Sequence, residues 1–333
     1  MNASYNKLSK LLGETRVLKN IPLSKYSSYR IGGPADLFFQ AKTEKELIHA
    51  VNLARQLNIP YFIIGGGTNL LISDNGIRGL VIKNESNAIK LVGIRGIRKG
   101  DKTKNFSTYG DTVYLEVESG VLINRLVRFT LEQGMAGLEI FLGQPGSIGG
   151  AVYMNAHNIK TGSYFGDLII EAKLLDHSGL IKKVPRSYFH FAYDQSIIQQ
   201  TKEIVLTVVF QLKVGNKDSL WQKATQILEY RKKTQPTGVY SSGCVFKNIQ
   251  KSEAVRLATP NYTCSAGYLL ESAGLKGVGC KGAYFSKDHG NFIINKGDAG
   301  AQDVVKLIRM AKVRVKKKYN IDLVEEIILA GDF

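Results

Sequence analysis

Cysteine is scarce. The 333 residues hold three, Cys244, Cys264 and Cys280, an odd number with no CxxC spacing. Five histidines (His49, His157, His177, His190, His289) form no paired ligand pattern, so neither a disulfide framework nor a zinc site is expected and no metal is assigned. Long apolar runs are also missing: nothing approaches the ~18 residues of a membrane span. The opening MNASYNKLSK lacks the apolar centre of a secretion signal. A cytoplasmic protein with no membrane insertion is the expectation. Acidic residues are outnumbered, 28 Asp and Glu against 45 Lys and Arg, which leaves a formal charge of +17.

What remains is ordinary for a globular protein, 44% hydrophobic and 22% charged. The length exceeds what one hydrophobic core organises, so two or three packed units are expected. A basic surface attracts nucleic acid, anionic lipid and phosphorylated small molecules alike. The densest basic run, RMAKVRVKKKYN (309 to 320), follows Val304 and carries on the apolar spacing Ile308, Ala311, Val315. It reads as the solvated face of a helix whose lysines suit the negative end of the dipole. No aromatics alternate with it as on a stacking platform for single-stranded nucleic acid.

Along the chain, Thr43 and Glu46 form a capping box before a helix with Leu47, Val51 and Ala54 on one face. A short buried strand (YFII), a glycine turn and a second strand (LVIKN) follow. Residues 85 to 111, rich in lysine and glycine, read mostly as a surface loop or mobile hairpin. TVYLEVESG alternates as a strand, and VLINRLVRFTLEQG is helical with Leu122, Leu126 and Phe129 on one face. Strands are expected at LIIEAKLLD, LIKKVP and EIVLTVVFQLKV, an amphipathic helix at DSLWQKATQILEYRKK, a boundary near 214, and a last strand EEIILAGDF that is tied down.

GGGTN (65 to 69) directly follows an apolar strand. Consecutive glycines let backbone N–H groups approach a pyrophosphate closely. A lone glycine triplet is usually just a turn, and this one is neither GxGxxG nor a P-loop. A second such segment, GQPGSIGGAVYMNA (143 to 156), makes a long phosphate-bearing ligand such as a dinucleotide the natural candidate. In YSSYRIGGPADLFF (26 to 39), Arg30 beside a glycine pair is a possible phosphate or carboxylate partner, though alone the segment reads as a β-turn. Cys244, in YSSGCVFKN, remains at this point a packed thiol, a ligand or a reactive group.

Together these segments resemble one family. YRIGGPADLF, GGGTNLLISDNGIRGLVI and GLEIFLGQPGSIGGAVYMNA look like the FAD-binding part of the UDP-N-acetylenolpyruvoylglucosamine reductase (MurB) family, and SSGCVFKN, SAGYLLESAGLKGVGCKGAYFSKDHGNFIIN and VEEIILAG like its substrate domain and C-terminal strand. The likeness runs from about residue 20 to the end. It implies an α+β fold: a two-subdomain FAD-binding module of the PCMH, or vanillyl-alcohol-oxidase-like, type plus a smaller α+β substrate-binding domain. The divisions expected are 20–84 (with the strand at 325–333 returning near the active site), 85–213 and 214–324. It also implies non-covalent FAD held by Arg30, Gly65, Gly66, Gly67, Thr68, Asn69, Gly143, Pro145, Gly146, Ser147, Gly149 and Gly150. The reaction the resemblance implies has two stages: NADPH reduces the flavin, which passes hydride to the enolpyruvyl double bond of a UDP-sugar to give UDP-N-acetylmuramate, a peptidoglycan precursor. A monomer that binds no nucleic acid is expected.

In the family a serine of GSxFKN protonates the carbon next to the one that receives hydride, and Cys244 stands there. A thiol, with pKa of roughly 8.5, keeps its proton at pH 7 yet releases it more readily than a hydroxyl. Glu326 aligns with the family's catalytic glutamate, Glu325 being the adjacent alternative. Strand alternation lets only one of them face the site. The family's third catalytic residue, an arginine in FxYRxS, is replaced: the chain reads FAYDQS, with Asp194 at that position and Lys233 or Arg30 as possible substitutes. Substrate contacts are expected from Tyr193, Lys233, Lys247 and Asn248. Rival readings are an oxidase on the same fold, disfavoured because no histidine near GGGTNLL offers a covalent flavin link, and a basic nucleic-acid-binding protein.

Overall fold

The computed structural model describes residues 3–95 and 111–333. Chain contacts gather them into two compact units, each built from three stretches of sequence: Met1–Glu14, Gln40–Ile59 and Ile82–Arg231 in the first, Thr15–Phe39, Pro60–Val81 and Lys232–Phe333 in the second.

The first unit is organised on a sheet with strand order Ile181–Pro185, Ile169–Leu175, Ile204–Val214, Thr112–Glu118, Ile89–Arg95, all antiparallel. Its centre, Ile204–Val214, is an almost continuous apolar run and is buried over most of its length, as a strand covered on both faces must be. Thr112–Glu118 alternates half-buried and buried residues, so Val113, Leu115 and Val117 pack under the helix Ile123–Glu132. Phe141, Phe165 and Phe210 meet edge-to-face at 5.3 Å between successive rings, a geometry that adds to their area burial.

One sequence expectation changes here, and for another the structure favours the hairpin alternative. Of the expected face Leu122, Leu126 and Phe129, only Leu126 is buried; the helix buries Ile123, Val127, Thr130 and Leu131 beside it. Leu122 is the N-cap, outside the helical turn, and is 51% exposed. Within 85 to 111, Ile89–Arg95 is a strand paired with Thr112–Glu118, its register shifting between Leu91 and Gly93. Lying at the sheet edge with Leu91, Val92 and Ile94 all largely exposed, it lacks the alternation that betrays a half-buried strand. The remainder of that loop expectation, 96–110, lies outside the described residues.

The helix Glu44–Gln56 is capped as expected: Thr43 Oγ1 accepts from Glu46 N (3.2 Å), and the Glu46 carboxylate reaches back to Lys42 N (2.7 Å). Leu47, Val51 and Ala54 are fully buried.

The second unit contains an antiparallel pair, Val17–Pro22 with Pro34–Ala41, in a four-stranded sheet completed by Ile77–Asn84 and Tyr61–Ile64. A second core gathers Tyr29, Leu71, Val245, Phe246, Leu270, Phe285 and the inner face of the helix Ala301–Tyr319. Val304, Ile308, Ala311 and Val315 form that face, and Lys316, Lys317 and Lys318 lie in the last turn. Among the described residues no helix is long and apolar enough to cross a membrane. The long helix is anchored at its start by Asp74, whose carboxylate accepts from Ala301 N (2.8 Å) and Gln302 N (3.3 Å). Asp74→Ala removes both bonds and is expected to cost about 1–2 kcal/mol; urea unfolding at pH 7 measures it, and an unchanged midpoint would refute the anchoring role.

Candidate active site

In the second unit, three segments from distant parts of the sequence are joined by main-chain bonds. The last strand, Ile328–Ala330, runs parallel to Leu70–Ile72, just after the glycine turn, and Ser73 N closes on Ala330 O (2.9 Å). Asn69 is the knot: its carbonyl accepts from Ile328 N (2.9 Å), and its amide Nδ2 donates to Glu326 O (3.0 Å). Glu326 N in turn donates to Val245 O (2.8 Å), and Lys247 N to Val324 O (2.9 Å). Residues 245–247 therefore pair with 324–326, with Phe246 opposite Glu325. Cys244 and Glu326 are brought beside the glycine turn by the backbone itself.

Cys244 is half-buried and outside any disulfide. It lies between Gly243, at φ +82°, and the fully buried Val245. Buried Asn291 grips the next residue from both sides, its Oδ1 accepting from Phe246 N (3.0 Å) and its Nδ2 donating to Phe246 O (2.8 Å). Asn291 O accepts from Val245 N (2.8 Å), so the main chain leaving Cys244 has little freedom. Sequence reasoning missed Asn291; a polar residue ahead of an apolar strand is no signal by itself. The Glu325 carboxylate pairs with Lys312 Nζ at 2.6 Å. Asn248 Oδ1 accepts from Ala266 N at the start of the helix Ala266–Ser272 (3.0 Å). Cys264 and Cys280 are partly buried against the apolar core.

The turn at 65–69 packs against the Arg30 loop. Ser28 N donates to Gly67 O (3.0 Å), and a Cβ on Gly67, at φ +65°, would lie 2.0 Å from Tyr26 O. Glycine is obligatory there. Arg30 is exposed, its guanidinium held by Lys25 O (3.1 Å) and set over the Tyr240 ring at 5.8 Å. Lys233 is exposed in the last turn of the helix Lys217–Thr234.

The other glycine segment and Tyr193 belong to the first unit. Residues 143–149 are stitched onto 119–124: Ile123 N to Gly146 O (3.0 Å), Ile148 N to Val121 O (2.9 Å), Gly149 N to Ser119 O (2.8 Å), and Gly143 N to Asn124 Oδ1 (2.7 Å). Gly143 and Gly146 take positive φ, and a Cβ on Gly149 would press on Ser119 at 3.2 Å. Pro145 is exposed and Ser147 buried, its Oγ accepting from Gly150 N (3.4 Å). Asp194, at the arginine position, is buried and pairs with His157 Nδ1 at 3.2 Å.

These residues suit a polar cofactor. Two buried hydroxyls of the second unit, Tyr29 OH and Ser241 Oγ, have no hydrogen-bond partner among the described residues. Leaving such a group unpaired costs about 1–3 kcal/mol, and a bound ligand's polar atoms would supply what is missing. Burial pushes the Tyr29 phenol well above the usual tyrosine range, so it serves as a neutral donor.

The family model for the UDP-N-acetylenolpyruvoylglucosamine reductase C-terminal domain matches residues 235–330, and that for an FAD binding domain matches 35–185. The UDP-N-acetylenolpyruvoylglucosamine reductase of Clostridium novyi (strain NT) is 33% identical over 98% of this chain and 96% of its own length. The crystal structure of the reductase from Thermus caldophilus is 30% identical, covers 95% of this chain and 99% of its own, and superposes with a TM-score of 0.71. A VAO-type flavoprotein from Myceliophthora thermophila, 11% identical with a TM-score of 0.54 over 95% of this chain and 85% of its own, shares the fold alone.

One titratable group in the resembling segment gives a measurable signature. Burial holds the His289 imidazole below its ordinary range, against the pull of Glu271 and helped by Lys276. Its Nδ1 accepts from Asn291 N (3.2 Å), the arrangement of a neutral ring. Burial also raises the Glu271 carboxyl, but the Gly290 N–H and Lys276 together outweigh it and leave the group low. The unfolded chain protonates histidine near pH 6.5. The His289 contribution is therefore whole above that pH and falls away below it, towards the lower folded value. Unfolding midpoints measured between pH 7.5 and 5.5 should fall in the parent and flatten in His289→Gln; parallel curves would contradict this.

Proposed function

The chain belongs to the UDP-N-acetylenolpyruvoylglucosamine reductase family, and from that membership we propose that it is a cytoplasmic, monomeric FAD-dependent oxidoreductase that reduces the enolpyruvyl group of the UDP-sugar to UDP-N-acetylmuramate for peptidoglycan synthesis. The observation that carries the assignment of roles is the backbone pairing of Cys244's segment with Glu326's, fastened to the glycine turn through Asn69.

FAD, when bound, supplies the two-electron carrier between NADPH and the substrate. The glycine segments fit its binding through close-approaching backbone, with Arg30, Gly65, Gly66, Gly67, Thr68 and Asn69 assigned in the second unit and Gly143, Pro145, Gly146, Ser147, Gly149 and Gly150 in the first. Hydride arriving at the terminal carbon of the enolpyruvyl group leaves negative charge on the neighbouring carbon and its carboxylate. Cys244 holds the proton that this carbon takes, and the restrained main chain around it fixes the direction of delivery. Glu326 is assigned to stabilise the enolate-like species, which a carboxyl does when kept neutral or paired through a cation. Tyr193, Lys233, Lys247 and Asn248 are assigned to the UDP-sugar. The charge of +17 favours capture of two polyanions, NADPH and the sugar nucleotide.

The deciding experiment is anaerobic. The yellow protein, reduced with NADPH, should recover its oxidised spectrum rapidly on addition of UDP-N-acetylenolpyruvoylglucosamine and yield UDP-N-acetylmuramate; flavin that stays reduced would reject the substrate assignment. Cys244→Ala is expected to leave reduction by NADPH nearly intact and to slow substrate-driven reoxidation by ~10² or more, with Cys244→Ser recovering much of the loss. Reoxidation as fast as in the parent would remove Cys244 from the reaction.

A further inference from the structure

Cys244 is held unequally on its two sides. Gly243, before it, has φ +82° and open space where a side chain would stand. The residues after it, Val245 and Phe246, are fully buried and gripped. Val245 N donates to Asn291 O (2.8 Å), while the Asn291 amide accepts from Phe246 N (3.0 Å) and donates to Phe246 O (2.8 Å). Cys244 itself stands opposite Phe292 in an antiparallel bridge.

Asn291 is in turn fixed from behind. Ser286 Oγ accepts from Asp288 N (3.1 Å) and His289 N (3.4 Å), Glu271 Oε1 from Gly290 N (3.0 Å), and His289 Nδ1 from Asn291 N (3.2 Å). Phe292 N closes the turn on His289 O (3.1 Å), and Ser286 N on Phe292 O (2.8 Å). The turn is thus the firm side of the contact. Asparagine offers a donor and an acceptor on one short side chain, the pattern a neighbouring strand would present to Phe246. A glycine in open surroundings resists rotation little, so the backbone angles that aim the thiol are set from the Phe246 side.

The proposed reaction makes that aim consequential. Hydride arriving at the terminal carbon leaves an electron pair on its neighbour, which can take a proton on either face. The proton leaves Cys244, whose bonding pair stays on sulfur as thiolate, and the new C–H bond forms from the carbon's pair; the thiolate regains a proton from solvent. The carbon then bears hydrogen, methyl, carboxylate and ether oxygen. With four different groups on it, the side of delivery decides the configuration of the product.

We propose that Asn291 is a positioning residue for this transfer: acting through Phe246, it fixes the side from which the Cys244 proton arrives, and with it the configuration of the new centre. The inference rests on the function proposed above and deepens it.

The test is a double-mutant cycle of Asn291→Ala with Cys244→Ala in flavin-loaded protein, read as the rate of reoxidation by UDP-N-acetylenolpyruvoylglucosamine and the configuration of the product. Asn291→Ala alone should slow reoxidation about 10- to 100-fold, the scale of an ångström's misplacement. Reduction by NADPH should be nearly unchanged, and the product should contain both configurations. In the Cys244→Ala background the same substitution should add almost nothing, because the group it aims is gone. A merely structural asparagine would slow both half-reactions together, or cost the same factor with and without the thiol. Either result overturns the proposal, as does unchanged reoxidation, or product of a single configuration, from Asn291→Ala. Asn291→Asp keeps the volume and the acceptor for Phe246 N but loses the donor to Phe246 O; it carries the same cycle if the alanine variant does not fold. If the parent itself is not reoxidised by the substrate, the function reading falls first and this inference with it.

Discussion

The second unit depends on one asparagine. Asn69 ends the glycine turn and holds two points of the C-terminal segment, its side-chain Nδ2 donating to Glu326 O and its main-chain carbonyl accepting from Ile328 N. From there Glu326 N continues to Val245 O, so one short relay of hydrogen bonds sets the positions of the glycine turn, the proposed proton donor and the proposed stabilising carboxylate. None of these bonds is strong alone. Each is worth about 1 kcal/mol net, but they are mutually dependent, and buried Asn291 closes the other side of the same strand. A site with tolerances below an ångström needs such main-chain definition, because side chains on free loops do not provide it.

Local features were the most legible from sequence. Thr43 and Glu46 announced their helix start, and the 3.6-residue spacing of Val304, Ile308, Ala311 and Val315 announced a buried face, because both signals are complete within a few residues. Leu122 misled for a local reason too: it has the right spacing but sits one residue before helical geometry begins. The strand Ile89–Arg95 escaped because an edge strand exposed on both faces has no period to detect.

The candidate site was legible as a set of segments and illegible as an arrangement. Glycine runs marked turns, yet what makes Gly67 obligatory is the approach of Tyr26 O, and what crowds Gly149 is Ser119, contacts that no reading of the runs themselves reveals. The same holds for Asp194. In sequence it is a missing positive charge; in the fold it is a buried acid joined to His157, 37 positions earlier in the numbering and otherwise unremarked. Motif comparison registers a substitution at one position, whereas chemistry is conserved or moved at the level of groups in space.

The parallel pairing of Leu70–Ile72 with Ile328–Ala330 also constrains how the protein comes into being. Asn69 and Glu326 are separated by 257 residues. At synthesis rates of roughly 5–20 residues per second, the earlier partner waits on the order of 10–50 s for the later one to be made. During that interval Leu71 and Ile72, fully buried in the finished protein, have an open strand edge and no neighbour there. Each unit is likewise assembled from stretches that the ribosome delivers far apart in time. The cell is thus left to shelter an adhesive edge for most of a translation cycle, a demand on its chaperones that arises from topology rather than from any weakness of the folded state.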